Sequence, residues 1–169
     1  MTPTLSEFQD LVEELTWDIL NSKGGTPGRQ SIATTRGQQV EVAAKQLLES
    51  HPNVASVETQ VFDESVDEFS NIDLVVNTHN GERIYVPCAR DLWLGTSQQD
   101  RLQIVWAKKK SGLFESKKVI YLVLDDVDNI LHKKYTSRAR RGITIQNCCK
   151  KLVEDGNLMN INQLWDYLG

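Results

Sequence analysis

The stretch NIDLVVNTHNGERIYVPCAR, residues 71–90, decides how this chain is read. Ile72 to Val76 is a short apolar run, and Arg83 to Cys88 is rich in β-branched and aromatic residues, so both have the length and composition of strands. Between them His79-Asn80-Gly81 carries the Asn-Gly signal of a hairpin turn, and the two runs are expected to pair as antiparallel neighbours. Asp73 stands in the first run with parity opposite to Ile72, Leu74 and Val76, so its carboxylate leaves the face on which those residues pack and can enter a cleft. In the second run, if Ile84, Val86 and Cys88 face the core, Tyr85, Pro87 and Ala89 share the other face.

Working toward the amino terminus, Val54 to Phe62 alternates in part and predicts a third strand. Before it, Val40, Ala43, Ala44, Leu47 and Leu48 form the buried stripe of a helix from about Arg36 to Ser50, which His51, Pro52 and Asn53 stop. SKGGTPGRQS, with Gly24, Gly25, Pro27 and Gly28, predicts a loop with Arg29 and Gln30 at its polar tip. Leu5 to Leu20 carries Phe8, Leu11, Val12, Leu15 and Ile19 at helical spacing. Toward the carboxyl terminus, Ser97 with Asp100 three residues later starts a helix running to about Lys110, with Leu102, Val105 and Trp106 inside. KVIYLVL, residues 118–124, predicts a strand buried on both faces. A short helix near Val127 to His132, the basic loop KKYTSRARRG and a final helical region up to Leu168 complete the chain.

With 169 residues, 40% of them hydrophobic and 25% charged, the chain has the profile of one globular domain. Cys88, Cys148 and Cys149 make neither a spaced disulfide framework nor a zinc pattern, which suits a reducing compartment. MTPTLSEFQDLVEELTWDIL lacks the architecture of a secretory signal, and no later run has the length of a membrane span, so a cytoplasmic protein without membrane contact is expected. A net charge of −4 argues against a protein that coats nucleic acid by bulk electrostatics. It is compatible with an enzyme that gathers carboxylates and carries a local basic face. Internal repeats and low-complexity segments are absent.

The order from Arg36 onward, helix, three strands, helix, strand, resembles the PD-(D/E)XK, or restriction-endonuclease-like, nuclease superfamily over about residues 36–125. RGQQVEVAAKQLL resembles the family's first core helix with its glutamate, NIDLVV the second strand with its metal-binding aspartate, and IYVPCAR the third strand with its acid-x-lysine. The resemblance implies an α/β domain with a central mixed sheet flanked by helices. The helix at 5–20 and the helical region at 144–168 would be additions to this core.

The resemblance also implies a site. Asp73, Glu41 and the carbonyl of Cys88 would hold magnesium, or manganese in its place, since such hard cations take oxygen ligands. Glu41 lies one turn from Ala44 and two from Leu48, on the border of the apolar stripe, where a carboxylate without a partner is costly. Beside Asp73, register puts Pro87 at the usual acid position and Ala89 at the position of the catalytic lysine. Arg90 is the nearby cation, but its parity turns it away and an arginine cannot act as a base. Ala89 is therefore either a replacement for lysine or the mark of a naturally inactive relative.

For DNA contact, Lys134, Arg138, Arg140 and Arg141 lie in a loop poor in acids, the local footprint of phosphate binding. Arg29, Gln30, Arg90, Thr96, Ser97, Gln98 and Arg101 are further candidates, since helix amino termini and short polar side chains suit phosphates. Lys108, Lys109 and Lys110 read as a solvated helix end. The four tryptophans, Trp17, Trp93, Trp106 and Trp165, read as core or interface residues. The function expected is a magnesium-dependent, sequence-specific DNA endonuclease of the restriction or homing type, acting on double-stranded DNA as a homodimer or higher oligomer and inactive as written. The alternatives are a structure-specific nuclease such as a junction resolvase, and a catalytically inactive DNA-binding module of the same fold.

Overall fold

The computed structural model of the chain describes residues 4–20, 26–89, 96–112, 114, 116–135 and 143–169, with backbone alone over 16–20, 26–36 and 96–97. Helices α1 (Leu5–Leu20) and α2 (Thr26–Glu49) lead into strands β1 (Val54–Val61), β2 (Ile72–Thr78) and β3 (Arg83–Val86). These three form an antiparallel meander, with Thr59 opposite Leu74 and Leu74 opposite Val86. The chain reverses at the expected turn, where Gly81 has φ +89° and donates its N–H to the Thr78 carbonyl at 3.1 Å. A left-handed residue is needed there, and glycine adopts it without a Cβ clash.

Helix α3 (Thr96–Lys110) carries the chain across to β4 (Lys118–Val119), which runs parallel to β3 and completes a mixed four-strand sheet in the order β1-β2-β3-β4. The expected strand over 118–124 is divided: β5 (Tyr121–Val123) pairs with β6 (Leu158–Asn160) in a second, parallel pair. The division is slight. Ile120 N–H bonds the Tyr85 carbonyl, Leu122 N–H the Pro87 carbonyl and Ala89 N–H the Leu122 carbonyl, at 2.8–2.9 Å, so residues 118–123 stay beside β3 and its extension. Helices α4 (Val127–His132), α5 (Ile145–Glu154) and α6 (Ile161–Tyr167) make up the rest.

Two expectations need correction. The region after Ile145 is not helical throughout, because α5 ends at a turn in which Gly156 has φ +73°, and β6 follows. Buried strand β5 needs a partner for its outer backbone groups; Tyr121 N–H finds the Asn157 carbonyl at 2.7 Å. The loop expected around Pro27 is partly helix, since α2 begins at Thr26 and so carries Arg29 and Gln30 in its first turns. Proline is tolerated there because its missing N–H has no partner in the first turn of any helix.

The sheet separates two cores. Leu74, Val76, Ile84, Val86 and Cys88 pack with Phe8 and Val12 of α1 and with the predicted stripe of α2. Val75, Tyr85 and Ala89 pack with Leu102 and Val105 of α3 and with Cys148, Cys149 and Leu152 of α5. KVIYLVL serves both: Ile120, Leu122 and Leu124 enter the first core, Val119, Tyr121 and Val123 the second. Each large aliphatic side chain buried this way contributes about 1.5–3 kcal/mol. Among the described residues, no helix is long and apolar enough to cross a membrane.

Candidate functional site

Asp73 enters the second core from the mouth of β2 and is 1% exposed. Its Oδ2 accepts the backbone N–H of Cys88 at 2.8 Å and an Nη1–H of Arg101 at 2.7 Å. The face predicted for it is the one observed: Ala89, also 1% exposed, and Tyr85 lie on the same side, with Leu74, Val76, Ile84, Val86 and Cys88 on the other. Ile72 departs from the expectation and packs with Val75 in the second core. Between the pairs Thr59–Leu74 and Val61–Ile72 stands Gln60, whose φ of 53° is left-handed and breaks the alternation at this end of the sheet.

Arg101 projects from the second turn of α3. Its Nη2 donates to the Asn71 carbonyl at 2.6 Å, and its Nε stands 3.4 Å from Oδ2 of Asp67. Asp67, 2% exposed, lies in the loop after β1, where its Oδ1 accepts the N–H groups of Phe69 at 2.8 Å and Ser70 at 3.0 Å. One guanidinium thus stands between two buried carboxylates on the wall of a hollow of about 330 Å³ lined by Asp67, Ser70 and Cys88 and by Gln98, Asp100 and Arg101 of α3. Tyr121 reaches from β5 to the Gln98 carbonyl at 3.3 Å; burial pushes its phenol well above the usual range, so it stays neutral.

Glu41, 7% exposed on α2, accepts a hydrogen bond from the Gln60 side-chain amide. It lines a different hollow, of about 470 Å³, with Gln38, Val42, Lys45, Thr59 and Gln60. The structure therefore does not bring Glu41 and Asp73 into one cavity. The reason is the sheet itself: α2 packs on the first core, whereas Asp73 points into the second.

Among the described residues, no three Asp, Glu, His or Cys side chains form a group that could hold a metal ion. As the side chains stand they do not fit magnesium, because the cation on Asp73 is Arg101. Cys88 lines the hollow and offers Asp73 its N–H, while its thiol donates to the Ala89 carbonyl at 3.4 Å. Burial pushes the thiols of Cys148 and Cys149 up to about 12, too high for a nucleophile.

Of the residues singled out for DNA, Gln98 and Arg101 line the hollow, and Arg101 turns toward acids. Thr96 and Ser97 form the first turn of α3. Lys134 is exposed beyond α4, whereas Arg90, Arg138, Arg140 and Arg141 lie outside the described residues. The lysines of α3 are a correction: Lys109 pairs with Asp155 at 2.6 Å and Lys108 with Glu68 at 3.6 Å, so they tie α3 to neighbouring loops, and Lys110 alone of the three is exposed. Trp106 and Trp165 are half-buried against the two cores as expected; Trp93 and the side chain of Trp17 lie outside the described residues. Sequence reasoning missed Asp67, one of several acids in a loop without periodicity, whose burial follows only from its turn and from Arg101. Comparison with family models, curated proteins and solved structures gives no match to this chain.

Proposed function

We propose that the chain is a DNA endonuclease domain on a restriction-endonuclease-like core, hydrolysing phosphodiester bonds of double-stranded DNA, with residue 89 as the position that limits cleavage. The observation that carries this reading is the placement of Asp73 and Ala89 on one face of adjoining strands, with the Cys88 N–H hydrogen-bonded to the Asp73 carboxylate beside a polar hollow. Helix, three strands, helix and returning parallel strand follow in the order the resemblance calls for. An ammonium introduced at residue 89 would be buried, and a buried cation is tolerated where a carboxylate faces it; Asp73 and Asp67 supply two. Magnesium or manganese is the ion an assay must provide. Two copies acting together would address the two strands of the duplex.

The test is Ala89→Lys, assayed on a pool of duplex DNA long enough to contain every short sequence. Cleavage in magnesium should rise by about a hundredfold to ten-thousandfold, the range general acid–base groups commonly contribute. The chain as written should bind the same DNA without cutting it. A restored lysine that leaves the protein folded and DNA-bound, yet inert with magnesium and manganese alike, would overturn the nuclease reading. A catalytically inactive DNA-binding module would then stand, a reading that the Asp73–Arg101 pair already favours. Cleavage confined to branched substrates would instead mark a junction resolvase.

A further inference from the structure

We propose that Asp67 and Asp73 together form a divalent-cation site that Arg101 fills in the metal-free protein, so that the guanidinium and a metal ion compete for the same two carboxylates. This deepens the nuclease reading, and rests on it for its meaning in catalysis: Asp67, not Glu41, becomes the second acid at Asp73, and Arg101 becomes an internal inhibitor of metal binding instead of a phosphate contact.

Four observations carry it. Asp67 and Asp73 are 2% and 1% exposed, and both are within 3.4 Å of one guanidinium, at Nε and Nη1 respectively. The Asp67 contact is an incomplete one: neither its Oδ2 nor the Arg101 Nε makes a hydrogen bond, although both atoms are buried. A buried carboxylate oxygen without a hydrogen bond is costly and points to a ligand that would satisfy it. It faces the hollow that Ser70, Cys88 and Gln98 also line. Finally, two carboxylates around one guanidinium leave one negative charge in excess, which a divalent ion in its place would neutralise. Arg101 can leave, because its side chain remains 16% exposed at the rim of the hollow while the acids behind it are closed off.

A site blocked by its own counter-ion shows an affinity reduced by the fraction of time it is open. If Arg101 holds the acids for about nine-tenths of the time or more, removing it should tighten cation binding at least about tenfold. Manganese binding is therefore measured by calorimetry, without DNA, on the wild type and on Arg101→Met, a side chain of similar length without charge. The expected result is a gain of that size, abolished by adding Asp67→Asn and retained when Glu41→Gln is added instead. No gain in folded Arg101→Met overturns the proposal, as does a gain that survives Asp67→Asn or is lost with Glu41→Gln. Should Arg101→Met fail to fold, Arg101→Lys replaces it. Its single ammonium cannot fork across both acids, so a smaller gain is expected, and none in the folded variant again overturns the proposal. These readings are independent of cleavage, so their failure leaves the DNA reading standing, and an inert Ala89→Lys protein leaves the cation site standing.

Discussion

Glu41 and Asp73 are both buried carboxylates at one end of the sheet, and Gln60 lies between them, in register with Asp73 and hydrogen-bonded to Glu41. Their partners differ in kind. Glu41 meets a neutral amide on the α2 side, whereas Asp73 meets a backbone N–H and a guanidinium that also faces a second buried acid. Charge-assisted hydrogen bonds are roughly twice as strong as neutral ones, and a carboxylate held by a cation marks a place where a cation is wanted. Burial alone therefore does not identify the site; the charge of the partner does.

Substitutions that break this difference should have graded effects. Asp73→Ala leaves Arg101 facing a cavity and, of its two acids, only the poorly aligned Asp67. Breaking one side of a buried ion pair commonly costs about 3–5 kcal/mol. Urea unfolding should show a loss in that range; a loss below about 1 kcal/mol would mean that the pair is solvated and worth no more than a surface salt bridge. Glu41→Gln keeps an oxygen that can accept from the Gln60 amide, so it should cost about 1 kcal/mol or less, the net worth of one neutral hydrogen bond. If it costs as much as Asp73→Ala, the contrast between the two acids fails. The smallest effect is expected for Gln60→Gly. It loses the hydrogen bond to Glu41 but relieves a left-handed backbone that costs a non-glycine residue on the order of 1 kcal/mol, and the two changes offset each other. A loss of about 2 kcal/mol or more would show that the Gln60 amide holds α2 to the sheet.

Much of the fold was legible because it rests on local patterns. Leu5–Leu20 is the helix its spacing predicts, His79-Asn80-Gly81 makes the predicted turn, and Ile120 to Leu124 is buried on both faces as its apolar run implies. The first turns of α2 were hidden because Gly and Pro read as loop signals, although Pro27 occupies the one region of a helix that accepts it. Strand β6 was hidden for another reason: three residues after Gly156 carry no period of their own and become a strand because β5 offers an unpaired edge.

Strand parity in the sequence was enough to place Asp73 and residue 89 on a common face, since side chains alternate strictly wherever the backbone is regular. Which acid shares that face with Asp73 was beyond it. The choice between Glu41 and Asp67 depends on α2 packing on one side of the sheet and α3 on the other, with Arg101 turned inward from its second turn. Periodicity describes one element at a time, whereas a charged site is made where side chains from separate elements meet in a place that water does not reach.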